Sequence, residues 1–146
     1  MEKPVSCITI EPFLKVHIDA VFDLWKITDY LALQESDTPE GTAAFLDRNP
    51  DGCFVAIRDE IVVGAILCGN DGRRGHIYHV AVNESFRRQG IANRLVTSAL
   101  DALTNLGISR CYTAMYVSNP FQKLFWTKTG WEKRDDQLAF LYKKLL

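Results

Sequence analysis

Two arginines, a glutamine and a glycine stand between an apolar strand-like run and a long apolar-striped helix, in the stretch AVNESFRRQGIANRLV (residues 81–96). The first turn of a helix has unsatisfied backbone N–H groups and about half a positive charge, so it is a natural anion site. Gly90 has no Cβ to block close approach, Ala92 keeps the next turn small, and Arg87 and Arg88 add positive charge. The pattern predicts a cradle for a phosphate or pyrophosphate.

A short motif of this kind also fits an ordinary loop of solvated arginines. The spacing differs from the GxxxxGK[ST] of a P-loop and from the GxGxxG of a Rossmann dinucleotide site. The elements around the stretch must therefore decide between the two interpretations.

Those elements can be predicted from hydrophobic periodicity and from turn residues. Alternating and β-branched runs predict strands at residues 5–10, 53–57, 61–68, 76–82, 111–117, 131–134 and 138–143. Apolar residues at helical spacing predict helices at residues 17–26, from Pro39 (capped by Thr38) to Asn49-Pro50, from Ile91 to a stop at Gly107, and at 120–129. We therefore expect one α/β domain of mixed α+β character over residues 1–146. Its mixed, mostly antiparallel sheet of about seven strands would have helices on both faces.

Composition limits the classes of partner and the compartment. The 146 residues are 47% hydrophobic and carry a formal net charge of −1, which does not favour nucleic acid or an anionic membrane. No apolar run reaches the length of about 18 residues that a membrane span needs, and the start Met-Glu-Lys-Pro lacks the shape of a signal peptide. We expect a cytoplasmic protein.

The cysteines have no CxxC spacing and no nearby histidine pair, and each lies in an apolar strand-like run. They are expected to be small buried hydrophobes, neither disulfides nor metal ligands, and no metal site is predicted. They are Cys7, Cys53, Cys68 and Cys111.

Two motifs resemble those of the GNAT superfamily of acyl-CoA-dependent N-acetyltransferases. The family's Q/R-x-x-G-x-G/A motif is matched by residues 87–92, which follow the apolar run HIYHVAV (residues 76–82). Its second pattern, N-x-x-a-x-x-l-Y-e-k-x-G-F, is matched by NPFQKLFWTKTGW (residues 119–131), where Gln122 replaces the usual alanine and Trp126 the usual tyrosine. The resemblance implies a GNAT-like fold with acetyl-CoA as co-substrate.

The resemblance also implies cofactor contacts. A strand edge would pair with the pantetheine arm of coenzyme A, in the manner of strand addition, through Val80, Ala81 and Val82. The pyrophosphate would be held by Arg87, Arg88, Gln89, Gly90, Ile91 and Ala92, and the opposite side of the cleft would be lined by Asn119 and Phe125.

Acetyl transfer to an ammonium needs a proton acceptor, because only the neutral amine is a nucleophile. His76 stands where a number of relatives carry a glutamate base, and an imidazole could do that work; a histidine with no catalytic role is the alternative. A backbone N–H near Val82 would polarise the carbonyl. Strand alternation places His76 and Tyr78 on one face and His79 on the other.

The tyrosine that protonates the departing thiolate in many relatives is Trp126 here, and an indole N–H does not give up its proton. Three explanations are open. The thiolate leaves without an acid, Tyr116 or another hydroxyl substitutes, or the protein binds acyl-CoA without turning it over quickly. The last is a competing function, a non-catalytic acyl-CoA-binding or regulatory module.

The acceptor pocket of the family lies around the first two helices and their connecting loop. An acidic and aromatic lining suits a cationic amine, and the candidate contacts are Trp25, Tyr30, Glu35 and Tyr78. A solvated loop beside a core tryptophan is the other interpretation. We expect a small-molecule amine, or a peptide N-terminus or lysine, as acceptor, and a homodimer is possible.

A weaker alternative, nucleic-acid binding by the basic loops at residues 73–74 and 87–88, finds no support in the net charge.

Overall fold

The computed structural model describes residues 7–134 and 137–146. These residues fall into two compact units, Met1–Ala114 and Met115–Leu146, which we describe separately. None of the helices in the described part of the chain has both the length and the apolar character that crossing a membrane would require.

The first unit contains a five-stranded sheet in the order β1-β2-β3-β4-β5. The first three neighbouring pairs are antiparallel and β4 pairs with β5 in parallel, which confirms a mixed, mostly antiparallel sheet. The strands are β1 (Thr9–Pro12), β2 (Phe54–Arg58), β3 (Ile61–Asn70), β4 (Gly75–Val82) and β5 (Cys111–Thr113).

The prediction of about seven strands was wrong. Residues 131–134 and 138–143 form no strand, and β5 ends at Thr113 although a strand to residue 117 was expected. Alternation of apolar residues indicates which side chains share a face, but a strand also needs a neighbour for its backbone hydrogen bonds, and one segment cannot reveal that neighbour. Residues 5 and 6 of the first predicted strand, and residues 135 and 136 between the last two, lie outside the described residues.

Among the described residues, three α-helices belong to the first unit and one to the second. They are α1 (Ile18–Lys26), α2 (Pro39–Arg48), α3 (Ile91–Asn105) and, in the second unit, α4 (Pro120–Lys128). Local chemistry sets their ends as expected. Thr38 Oγ1 accepts a hydrogen bond from Gly41 N at 3.0 Å at the start of α2, and Gly107 after α3 has a φ of +78°.

Helices cover both faces of the sheet, which confirms that part of the prediction. The core on one face joins Phe22 and Trp25 of α1 to Ala65 of β3. On the other face, a Cβ built on Gly64 would lie 3.2–3.3 Å from Leu95 and Ile91 of α3. Gly64 and Ala65 are consecutive strand residues and so face opposite sides. In this sheet β4 lies between β3 and β5.

The cysteines follow the prediction only in part. Cys53 and Cys68 are buried, and burial raises the pKa of the Cys53 thiol to about 11. Cys111 is half-buried, but Cys7 is exposed, so the expectation that every cysteine is buried was wrong. Cys7 stands two residues before β1, and in the described part of the chain it belongs to no strand.

Candidate functional site

A bulge interrupts β4 in its second half. Leu67 of β3 pairs with Tyr78 and Ala65 pairs with Ala81, so two residues of β4, His79 and Val80, oppose a single residue of β3. His79 has a φ of +50°, in the left-handed region that few non-glycine residues adopt. Bulges re-aim side chains and break the alternation of faces.

The edge of β4 beyond the bulge carries no strand. β5 pairs only with residues 75–77, so from Tyr78 to Val82 this edge has no strand partner in the described sheet. Asn83 N donates to Val63 O on the β3 side at 2.8 Å. Because successive N–H groups alternate between the two edges of a strand, the Val82 N–H points to the free edge. An extended ligand can add to such an edge by backbone hydrogen bonds.

The loop after β4 delivers a glycine to the start of α3. Arg88 and Gly90 both have left-handed backbones, with φ of +63° and +74°, and α3 begins at Ile91 without a side-chain cap. The N–H groups of the first helical turn have no acceptor within the helix. A Cβ on Gly90 would meet no atom within 4 Å, so the space beside it is open. The loop therefore presents backbone N–H groups and the exposed residues 87–90 to solvent, as an anion cradle requires.

The two basic pairs of the sequence lie at opposite ends of β4. β4 itself is eight residues long, so its two ends lie about 25 Å apart. Arg73 forms an ion pair with Asp71 at 3.5 Å, and Arg74 lies over the Tyr112 ring at 5.9 Å. The backbone N–H groups of Arg74 and Arg73 hold the pKa of Asp71 at about 2. The two pairs do not form one basic patch.

Residues of the first half of β4 form an aromatic stack. The His76 ring lies 6.0 Å from Tyr78 and 5.6 Å from Tyr112, and Tyr78 meets Phe45 of α2 edge to face at 6.0 Å. Burial raises the pKa of Tyr78. Among the residues the structure describes, the His76 imidazole forms no hydrogen bond or ion pair. Among the described residues, therefore, no hydrogen bond or ion pair orients the His76 imidazole for the predicted role as a base.

A carboxylate and an imidazole meet at the bulge. His79 Nε2 lies 2.9 Å from Asp37 Oδ1, although the residues are 42 positions apart in sequence, and the two side chains are only 17% and 15% exposed. The Trp25 ring packs against His79 edge to face at 5.0 Å. His79 thus points to the α1 side, as does Tyr78, which packs on α2. The expectation that His79 faces away from Tyr78 was wrong, because the bulge changes the alternation.

Three of the predicted acceptor contacts have different environments. Trp25 is 1% exposed and belongs to the core, so it supports the bulge and offers no surface to a substrate; that assignment is corrected. Its Nε1 is fully buried without a hydrogen-bond partner among the described residues. Tyr30 and Glu35 are exposed in the connection between α1 and α2, where a substrate could reach them.

The second unit contains the other predicted residues. Asn119 is buried and its Oδ1 caps α4, accepting from Phe121 N at 3.1 Å and Gln122 N at 3.3 Å. Trp126 is buried between the rings of Phe125 and Trp131, at 4.9 and 4.8 Å. Tyr116 is half exposed. The roles of Tyr116, Asn119 and Phe125 toward a cofactor stay predictions.

Known proteins resemble this chain in sequence and in fold. An acetyltransferase of Pectobacterium atrosepticum is 34% identical over 60% of the chain, and N-alpha-acetyltransferase 30 of Schizosaccharomyces pombe is 30% identical over 59%. The matches span 62% and 61% of those two proteins, less than two thirds of their length.

The fold comparison covers more of the chain. The structure of AAC(6')-Iy in complex with the bisubstrate analog CoA-S-monomethyl-acetylneamine superposes with a TM-score of 0.76 at 19% identity, covering 96% of this chain and 100% of that one. At this identity the likeness shows the fold. Residues 18–131 match the profile of the acetyltransferase (GNAT) family. This chain therefore belongs to the GNAT family of acetyltransferases.

Proposed function

We propose that the protein is an N-acetyltransferase that moves an acetyl group from acetyl-CoA to a primary amine by direct attack in a ternary complex. The observation that carries the proposal is the junction between β4 and α3. There Gly90, with a left-handed backbone, precedes a helix that has no side-chain cap, in the loop that follows a strand with a free edge. Family membership agrees with this use of the junction.

Each part of the junction has a role in this proposal. The N–H groups of residues 88–92 would hold the pyrophosphate, with Arg87 and Arg88 adding charge. The free edge of residues 80–82 would pair with the pantetheine arm. The Val82 N–H, which points to that edge, would donate to the carbonyl oxygen as negative charge develops on it.

A matched pair of glycines tests the cradle. Gly90 and Gly107 lie at the two ends of α3, both have positive φ, and a Cβ on either would meet no atom within 4 Å. Gly90→Ala and Gly107→Ala should therefore lose similar stability, about 1–2 kcal/mol, from left-handed backbone strain. Only Gly90→Ala places a Cβ in the space for the pyrophosphate. We expect it to weaken coenzyme A binding by about tenfold or more in calorimetric titration, equivalent to ~1.4 kcal/mol.

Equal affinities of the two variants for coenzyme A would contradict the cradle assignment. Thermal unfolding of both variants is the control for general damage to α3.

The acceptor is proposed as a small-molecule amine, or the N-terminal amine or a lysine of a peptide. Exposed Tyr30 and Glu35, in the connection between α1 and α2, provide an aromatic ring and a carboxylate that suit a cation. The sequence relatives include an N-alpha-acetyltransferase, and the structural neighbours include an aminoglycoside N-acetyltransferase. A panel of peptides and small amines, assayed by release of free thiol from acetyl-CoA, would distinguish these acceptor classes.

A non-catalytic acyl-CoA-binding module is the alternative, favoured by one observation. Trp126 replaces the usual tyrosine of the family motif and is buried against Phe125 and Trp131, so it supplies no proton to a thiolate. Both functions predict coenzyme A binding. Only an enzyme would release thiol when an amine is added.

A further inference from the structure

We propose that His79 is the general base that removes the proton from the acceptor ammonium, and that Asp37 positions it. This inference rests on the proposed acetyl transfer. It assigns the base to a residue other than His76, the candidate base named from the sequence.

Asp37 is itself fixed before it meets the imidazole. Its Oδ2 accepts a hydrogen bond from Gln34 N at 2.7 Å, and its own N–H donates to Gln34 O at 3.0 Å. Its other oxygen, Oδ1, lies 2.9 Å from His79 Nε2. Both carboxylate oxygens are thus committed to defined partners. The turn at residues 34–37 therefore holds the carboxylate in one orientation toward β4.

The contact with Asp37 determines which ring nitrogen is left to accept a proton. A carboxylate can only accept, so the hydrogen lies on Nε2 and Nδ1 of a neutral ring has the free lone pair. Nδ1 has no partner among the described residues. It is also absent from the fully buried unpaired polar atoms, which in the described part are limited to Trp25 Nε1. Nδ1 therefore keeps some solvent exposure and a free lone pair that can accept a proton.

The backbone and the ring are both constrained at His79. A left-handed φ of +50° is unfavourable for a histidine and persists only where the surroundings stabilise it. The surroundings here are Asp37 and the edge-to-face contact with Trp25 at 5.0 Å. Strained residues of this kind are concentrated at functional sites. The imidazole is thus held in place before a substrate arrives.

The position of His79 also fits the reaction. It precedes Val80 directly, at the point where β4 leaves β5 and its edge becomes free. Asp37 is the charged group in contact with the imidazole in the described part of the chain. The other acidic residues nearby in sequence, Asp29, Glu35 and Glu40, are exposed, and the Trp25 ring of α1 packs against the imidazole.

The step balances without another reagent. Nδ1 of neutral His79 takes one proton from R–NH3⁺, which leaves R–NH2 and an imidazolium. The amine lone pair attacks the thioester carbonyl carbon, the N–C bond forms, and the C–S bond breaks with its electron pair on sulfur. The amide nitrogen then loses a second proton. One of the two protons yields the free thiol of coenzyme A and the other goes to solvent, restoring neutral His79.

Two variants separate chemistry from folding. His79→Gly accepts the left-handed backbone and leaves a cavity that can admit free imidazole. His79→Asn also tolerates this backbone but offers no base. We expect both to lower kcat by about 100-fold, within the usual range for a general base. Coenzyme A affinity should stay within twofold of wild type. Added imidazole should restore kcat of His79→Gly about tenfold or more and leave His79→Asn unchanged.

The pH profile distinguishes His79 from His76. A base must be neutral to accept a proton, so the wild-type rate should rise with pH, and His79→Gly should lose this rise. The proposal is overturned if His79→Gly keeps more than a tenth of the wild-type kcat, if imidazole gives no rescue, or if His76→Ala instead abolishes the rise. If wild-type protein binds acetyl-CoA but acetylates no amine, the proposed function fails and this inference fails with it.

Discussion

The loop between β4 and α3 and the loop between α1 and α2 both reach β4, but they are held in different ways. The first consists of exposed residues, and its form depends on left-handed backbones at Arg88 and Gly90. The second is tied down by side chains, since Asp37 joins the turn at residues 34–37 to His79. A site made of backbone groups tolerates most side-chain changes, whereas one made of side chains depends on each of them.

This difference predicts where a mutation will damage binding and where it will damage turnover. Changes in the first loop should act on coenzyme A affinity. Changes around Asp37 should act on stability and on the rate of transfer, with coenzyme A affinity preserved. The predictions below test that separation, beginning with the largest expected effect.

Trp25→Ala should have the largest effect on stability. The ring is buried between Phe22 and His79, so its removal leaves a large cavity and should lower the free energy of unfolding by about 3–5 kcal/mol. Trp25→Phe, which keeps an aromatic ring and removes the unpaired Nε1, should lose much less. Urea unfolding of both variants measures the difference. Equal losses would show that ring packing does not support the bulge.

Two aspartates provide the next comparison. Asp37 and Asp71 both accept hydrogen bonds from backbone N–H groups, but Asp37 is mostly buried and Asp71 lies in an exposed loop. Asp37→Ala leaves an imidazole nitrogen of the mostly buried His79 unpaired and should lower the free energy of unfolding by about 1–3 kcal/mol. Asp71→Ala should lower the free energy of unfolding by less than Asp37→Ala does, as urea unfolding of both variants would measure. A larger loss for Asp71→Ala would contradict the view that the α1–α2 loop is the one held by side chains.

The smallest effect should appear in the pH dependence of Asp71. Its pKa of about 2 lies below the ordinary value of 3.8. A depressed pKa in the folded state means that the carboxylate stabilises the fold above the ordinary value, and that this stabilisation is lost as the pH falls toward about 2. The difference in melting temperature between wild type and Asp71→Asn should therefore narrow from pH 5 to pH 3. A difference that widens over this range would contradict the assignment.

The two regions also differ in how well the sequence predicts them. The cradle could be predicted because its determinants are local: Gly90 lies within one turn of the helix that it opens, and Thr38-Pro39 likewise starts α2. The stop at Gly107, which has a positive φ, was predicted for the same reason. Local signals of this type depend on backbone conformation and need no information on tertiary contacts.

The pair of Asp37 and His79 could not be predicted in this way. The residues are 42 positions apart, and the bulge between Tyr78 and Ala81 changes the face on which His79 lies. A strand pattern contains no signal for an extra residue in the ladder. The missing strands at residues 131–134 and 138–143 have a related cause, since pairing depends on a partner that the segment itself does not specify.

The most direct test of the central claim is release of free coenzyme A thiol from acetyl-CoA on addition of amines, measured after calorimetry has shown that acetyl-CoA is bound. The panel consists of peptides with free N-termini, lysine-containing peptides with blocked N-termini, and small polyamines. The account predicts thiol release that depends on both protein and acceptor. Binding of acetyl-CoA with no release above background for any amine would contradict it and identify a non-catalytic acyl-CoA-binding module.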